Sequence, residues 1–243
     1  MKALSLLIIG YGRMGQMVER VALRRGHLIA AIKDCAEPPL SVWLKDKPLP
    51  DVALEFTAPQ AAFTNVVACL EAGIPVVCGT TGWYSQVQEA EQICRRLEGT
   101  LLVASNFSIG VNVLFEINRL LTSLMKKFPQ YTPTLRETHH TAKKDMPSGT
   151  ALSLAADIAE ICGKKGYQLN QVSDPEKVPV FASRVPGEVG FHEVIWTSEM
   201  DQLIISHKAF SREAFAEGAV WAAEFIHGKK GLFTMRDVLG LKF

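Results

Sequence analysis

An apolar run, Ala3-Leu4-Ser5-Leu6-Leu7-Ile8-Ile9, stops at Gly10-Tyr11-Gly12-Arg13-Met14-Gly15, and helical spacing begins directly beyond it. Met14, Met17, Val18, Val21 and Ala22 then fall on one helical face. A short strand with almost no polar alternation must be covered on both sides, which is the situation of a strand in a parallel sheet. The same alternation recurs through the first half of the chain. Strands are expected over 28–32, 52–56, 74–78 and 101–104. Helices are expected over 61–72, stopped by Gly73, and over 86–97. The chain should therefore fold as an α/β protein with a Rossmann-type, doubly wound parallel sheet and right-handed crossovers.

The pattern changes after about residue 107. A long helix is expected over 111–125, a strand over 135–138 and a second helix over 151–162, ended by Gly163. Residues 164–183 are polar and proline-bearing and read as loop. Phe191–Thr197 and Gln202–His207 alternate and read as antiparallel strands. A final helix over 214–227 is expected to return to the first domain. The division is thus 1–107 with 212–243 as a dinucleotide-binding domain, and 108–211 as an α+β domain for substrate binding and oligomerisation.

Bulk properties exclude several classes. Of 243 residues, 48% are hydrophobic and 21% charged, and the formal net charge of +1 offers no field for nucleic acid or an anionic membrane. Basic pairs such as Arg24-Arg25 and Lys126-Lys127 read as solvated surface. No apolar run approaches the roughly 20 residues that span a bilayer. The apolar N-terminal run gives way to glycines rather than a cleavage site, so it reads as a strand and not a signal peptide. The five cysteines (35, 69, 78, 94 and 162) are odd in number and scattered, which argues against a disulfide framework. Cys69 and Cys162 read as core residues. A reduced, cytoplasmic protein is expected.

In the form G-x-G-x-x-G, Gly10 permits a tight turn, Gly12 lets the main chain approach a pyrophosphate, and Gly15 lets the helix lie close on the strand. The helix start offers N–H groups and a positive dipole end through Tyr11, Arg13 and Met14 of the same loop. Asp34, ending the second strand, can accept from ribose hydroxyls, which favours NAD. Lys33 and Arg13 could instead meet a 2′-phosphate, so NADH and NADPH both remain open. The other reading of the loop is a close-packed turn. Two further loops lie at strand ends: Gly79-Thr80-Thr81-Gly82 and Ala104-Ser105-Asn106-Phe107. They are candidates for ribose or nicotinamide contacts, although such residues are also ordinary turn formers.

The most chemically loaded stretch is Glu137-Thr138-His139-His140-Thr141-Ala142-Lys143-Lys144-Asp145-Met146-Pro147-Ser148-Gly149-Thr150. Adjacent histidines on an extended exit point to opposite faces, so one can exchange protons while the other holds substrate or packs. Lys143 adds a cation. Ser148-Gly149-Thr150 opens a helix whose first N–H groups suit a carboxylate. The alternatives are a plain N-cap beside chance neighbours, or a metal site. The metal site is disfavoured because no cysteine or further His/Asp cluster lies at ligand spacing in the sequence.

Together these segments resemble the dihydrodipicolinate reductases, and the resemblance continues through Arg184-Val185-Pro186-Gly187, Ser206-His207-Lys208-Ala209 and Phe215-Ala216-Glu217-Gly218-Ala219. It implies hydride transfer from NADH or NADPH to a cyclic unsaturated dicarboxylate, with protonation of the ring. On matching positions, His139 and Lys143 would move protons, while His140, Gly149 and Thr150 would hold carboxylate. The double histidine with its lysine argues against another nicotinamide dehydrogenase, and the acid–base set against a non-catalytic nucleotide-binding regulator. The family also implies a homotetramer. Between Gly190 and Ile204 the segment looks abbreviated relative to the longer excursion with a Gly-x-His pattern in many relatives. Glu193–Leu203 is therefore expected to form only a short hairpin.

Overall fold

The computed structural model describes residues 2–34, 38–44 and 48–241. They divide into two compact units, Met1–Ser108 with Glu213–Phe243, and Ile109–Arg212. Cys35, one of the scattered cysteines, lies outside the described residues.

The first unit runs β1 (Ser5–Ile9), α1 (Arg13–Arg24), β2 (Leu28–Lys33), α2 (Leu40–Trp43), β3 (Val52–Glu55), α3 (Pro59–Glu71), β4 (Val76–Cys78), α4 (Val87–Arg96) and β5 (Thr100–Val103). In the second unit come α5 (Ile109–Met125), β6 (Thr132–His139), α6 (Gly149–Cys162), β7 (Tyr167–Leu169), β8 (Val178–Arg184), β9 (Gly190–Thr197) and β10 (Gln202–Ala209). The chain then returns to the first unit with α7 (Glu213–Ile226), β11 (Gly231–Phe233) and α8 (Met235–Val238).

In the first unit six strands pair in the order β11-β5-β4-β3-β1-β2, all parallel. Strand β1 belongs to two separate cores, because its side chains alternate between them. Leu6 and Ile8 join Val18 and Val21 of α1 and Ala219, Val220 and Ala223 of α7. Leu7 and Ile9 join Ala62, Val66 and Cys69 of α3 and Ala90 and Cys94 of α4. This two-sided burial explains the unbroken apolar run and makes the fold a Rossmann-like, doubly wound sheet. The chain leaves β1 toward β2 on one side and resumes with β3 on the other. A crevice therefore opens beyond the carboxyl ends of β1 and β3.

Strand β11 was not expected from the sequence. Its three residues pair with Thr100–Leu102 of β5 and are too few to show a period. Helix α7 is tied to α1 by ion pairs of Arg24 with Glu213 and Glu217, and by a two-pronged contact of Arg25 with Glu224 at 2.8–2.9 Å. His27 accepts from the Leu4 amide at Nδ1, so the Nε2 proton is the one directed at Glu224, 2.8 Å away.

The second unit is a mixed five-stranded sheet, β10-β9-β6-β8-β7, with α5 and α6 packed on one face. Leu135, Val178, Val180, Val194 and Trp196 of the sheet meet Leu114, Leu154 and Ile158 of the helices. Residues 164–183 hold β7 and β8 rather than only loop, with β8 parallel to β6. Pro179 argued against a strand because it cannot donate to a ladder. It pairs with Gln168 on the β7 side and lies outside the register that starts at Leu135 and Val180. The hairpin is also longer than expected: β9 and β10 pair over eight positions, from Gly190 with Ala209 to Thr197 with Gln202. Only the tip, Ser198–Asp201, is tight, held by the Ser198 hydroxyl, which donates to Asp201 and accepts from the Met200 and Asp201 amides.

Where α7 crosses the first unit, a Cβ on Gly218 would lie 1.8 Å from the carbonyl oxygen of Phe107. Backbone cannot retreat as a side-chain tip can. Gly218→Ala should therefore destabilise the first unit by about 1–3 kcal/mol, read as a lowered urea midpoint. An unchanged midpoint would mean that α7 does not approach Phe107 this closely.

Candidate active site

The nucleotide crevice is a cavity of about 610 Å³ lined by Gly10, Tyr11, Gly12, Lys33, Asp34 and the Phe56–Ala58 turn. The three glycines of the first loop do different jobs. Gly10 has φ +89°, and a Cβ there would meet the Phe56 carbonyl oxygen at 2.4 Å. At Gly15 a Cβ would lie 2.1 Å from the Gly10 carbonyl oxygen, so α1 rests on its own turn. A Cβ on Gly12, the N-cap of α1, would meet nothing within 4 Å. That opening lies where the first N–H groups of a twelve-residue helix point outward, and it suits a pyrophosphate. The residues present thus fit a dinucleotide.

Other candidates in this unit divide between cleft and scaffold. Asp34 is exposed at the rim, and Arg13 is exposed at the start of α1. Lys33 is buried and donates to the Asp34 carbonyl at 2.7 Å. Tyr11 donates its hydroxyl to Glu19. Met14 packs on the core, leaving its main chain for a ligand. Thr80 is buried, accepting from the Thr57 amide at 2.8 Å and, through its carbonyl, from the Trp83 indole at 2.8 Å. It ties two strand-end loops together, while Thr81 is exposed. Gly79 leaves space for the Phe56 ring, whose Cε1 would lie 2.0 Å from a Cβ there. Asn106 accepts from the Ser108 amide at 2.8 Å, and Ser105 is exposed between it and Ala104. The Phe107 side chain is buried against Phe56, ring centroids 5.7 Å apart, so only its main chain is left for a cofactor.

In the second unit β6 carries His139, the residue expected from sequence to exchange protons. Period two puts Leu135, Glu137 and His139 on the helix-covered face. His139 is 7% exposed, and burial and then the neighbouring His192 push its imidazole down to about 4, against the pull of the Glu137 carboxylate. His140, just past the strand, has its Nε2 2.7 Å from Arg212 Nη2. A guanidinium only donates, so that nitrogen carries the lone pair and the His140 proton sits on Nδ1. Lys143 lies in the following turn and donates to Asp145 at 2.7 Å. Burial raises the Asp145 carboxyl, but the bond and charge of Lys143 outweigh it and hold it below its ordinary range. Asp145, which had no role from sequence, is therefore the anion that pairs with Lys143.

Ser148 is the N-cap of α6; its Oγ accepts from the Ala151 amide at 3.2 Å. Gly149 follows as the first helical residue, exposed and with nothing within 4 Å of a Cβ, and Thr150 is second. The start of this fourteen-residue helix is thus approachable by a carboxylate. Arg184 fastens the intervening turn: it donates to the carbonyls of Lys143, at 3.3 Å, and Asp145, and to Glu137 at 3.3 Å.

Sequence reading quoted Glu137 and Arg184 within motifs but gave them no role, and it did not single out His192 or Arg212, which the structure brings to the same groups. His192 sits in Gly190-Phe191-His192, itself a Gly-x-His triplet, which was the available signal. The sequence argument against a metal also needs correcting, because β9 brings His192 to Glu137 and His139, with one possible ligand atom of each lying within 4.8 Å of the others. The Arg184 guanidinium and the Ser148 amide already occupy the Glu137 carboxylate, which favours a hydrogen-bonded acid–base set over a cation.

The sequence model of the dihydrodipicolinate reductase N-terminus matches residues 4–107, and that of the C-terminus residues 110–239. A 4-hydroxy-tetrahydrodipicolinate reductase of Christiangramia forsetii is 42% identical over 97% of this chain and 98% of its own. One from Methanosarcina mazei is 36% identical over 79% and 73% of the two chains. Among solved structures, dipicolinate-bound dihydrodipicolinate reductase from Paenisporosarcina shares the fold at a TM-score of 0.76 and 23% identity, over 96% of this chain and 98% of that one. With both halves matched and a relative of this similarity spanning nearly its whole length, the chain belongs to the dihydrodipicolinate reductase family.

Proposed function

We propose that this chain is a 4-hydroxy-tetrahydrodipicolinate reductase of lysine and diaminopimelate biosynthesis, using NADH or NADPH. The observation that carries this reading is the grouping of a buried acid–base histidine, an ammonium and an open helix start between Glu137 and Thr150. A cyclic dicarboxylate has two negative charges to neutralise and a ring to protonate, and each demand has its residue type here. When bound, the nucleotide provides the hydride. The hydroxyl of the substrate leaves as water together with a proton from the neighbouring ring carbon, and the ring then gains one hydride and one proton.

The roles of the residues follow from their chemistry. Amides at the start of α1 and the Asp34 carboxylate hold pyrophosphate and ribose. Asp34 disfavours a 2′-phosphate while the exposed Arg13 favours one, which suits dual cofactor use. Main-chain groups of the 79–81 and 104–107 loops contact the nicotinamide half. One substrate carboxylate docks on the Gly149 and Thr150 amides with His140 beside it, and Lys143 turns from Asp145 toward the substrate. His139 exchanges the proton, with Lys143 as a second donor. Among the described residues no helix is long and apolar enough to cross a membrane, and the demand for reduced nucleotide suits the cytoplasm.

The chain also assembles with copies of itself in this reading. Helix α5 exposes Val113, Ile117, Leu120 and Leu124 along one stripe, and the edge strand β10 exposes Leu203 and Ile204. An unpaired edge beside apolar side chains favours self-association.

His139→Gln should lower kcat by about 10²–10⁴-fold while leaving NADH affinity unchanged; full turnover would remove His139 from the chemistry. Gly12→Ala should fold normally yet bind NADH more weakly, by fluorescence titration, because the added methyl enters the pyrophosphate opening. Pyridine-2,6-dicarboxylate should compete with substrate, and failure to do so would speak against a dicarboxylate site. In sedimentation velocity the protein should run as an oligomer, and Leu120→Glu with Ile204→Lys should dissociate it; a monomeric wild type would overturn the assembly.

A further inference from the structure

We infer that Glu137 is the positioning residue of this site, its buried carboxylate fixing both the place and the charge of the His139 imidazole. The inference rests on the reading of His139 as the proton-exchanging group. Glu137 is 1% exposed, and a carboxylate stays ionised at such depth only when it is well partnered. Both its oxygens accept from the Ser148 amide at 3.1 Å, and Oε1 accepts from Arg184 at 3.3 Å. His192 Nε2 lies 3.6 Å and His139 Nδ1 3.5 Å from Oε2.

A purely structural carboxylate would need only the first two partners. The histidines point further. His139 Nδ1 is buried with no hydrogen-bond partner among the described residues, and the nearest carboxylate oxygen is the Oε2 of Glu137. A small turn of the ring makes that contact a hydrogen bond, with the proton on Nδ1 and Nε2 left for the substrate. Two other contacts hold the ring. His192 meets it edge-on, centroids 4.9 Å apart. A Cβ on Gly190 would lie 3.3 Å from both Cδ2 and Nε2, so glycine there leaves the ring its place. His192 in turn lies 3.1 Å from Ser148 Oγ, so the helix start and the imidazole are referenced to one carboxylate.

The charge matters as much as the place. His139 is faced by His192 from β9, Arg184 from β8 and Lys143 from the turn, and His207 of β10 pairs in register with His192. Burial and the first three of these disfavour the imidazolium that a proton donor must be. Glu137 is the anion beside them that favours it.

The test is Glu137→Gln, which keeps size and an acceptor for Ser148 but removes the charge. With folding and NADH binding intact, kcat should fall about 10–100-fold and the substrate KM should stay within about threefold. The sign of the pH effect is fixed. Loss of a favouring anion lowers the His139 pKa, so the protonated form is lost earlier, and the basic limb of the pH–rate profile should move down by about one unit. Glu137→Asp, with the charge retained but withdrawn by one methylene, should show the same shift at smaller amplitude, and it serves if the amide variant does not fold. An unmoved limb, or a loss confined to KM, would overturn the inference. His139→Gln run alongside separates the two readings. If that variant is active, the assignment of His139 fails; if it is inactive while the Glu137→Gln limb stays put, only the role of Glu137 fails.

Discussion

The burial of β1 on both faces is the constraint from which the first unit follows. A five-residue strand with a core on each side must be left through a turn tight enough for the next helix to pack against it. Gly10 makes that turn, and Gly15 lets α1 press against the Gly10 carbonyl. Because α1 is held this close, its free amides face the crevice between β1 and β3, and the opening at Gly12 is left over. The nucleotide site is thus a by-product of packing a parallel sheet.

The second unit is organised around a charge rather than an apolar strand. On β6 the same alternation that buries Leu135 buries Glu137 and His139. A buried carboxylate must collect donors, and those available come from three separate elements: the Ser148 amide before α6, Arg184 of β8 and His192 of β9. Burial alone would raise the Glu137 carboxyl, but His192, Ser148 and the charge of His139 outweigh it and hold the group at about 2. The convergence of donors also anchors a turn, residues 140–147, that otherwise has few backbone bonds of its own. His139 and His140 lie at its start, Lys143 within it and the start of α6 just past its end.

Legibility differed along the chain for physical reasons. Long apolar runs and helical stripes were readable because period and burial are local, which is why β1, α1, α3 and α5 stand close to where spacing put them. Strands β7, β8 and β11 were not, being short, proline-bearing or lacking a period until a neighbour pairs with them. The 137–150 block was visible as a linear motif, and its pairing of Lys143 with Asp145 lies within that motif although no rule singled it out. Glu137 stood at the head of that motif without a role, since burial is a tertiary property.

The sequence by itself determined the alternation of strand and helix, the glycine turn, and the presence of histidine, lysine and a capped helix start within fourteen residues. These are properties of neighbours along the chain, where bond geometry and periodicity act. Only the tertiary structure decided which groups Glu137 would face, since Arg184 and His192 arrive on other strands through sheet register. It decided that Thr80 would brace loops and that Phe107 would fill the core. It also gave β9 and β10 their eight-position ladder. Register and burial couple residues far apart in sequence, and no local spacing encodes that coupling.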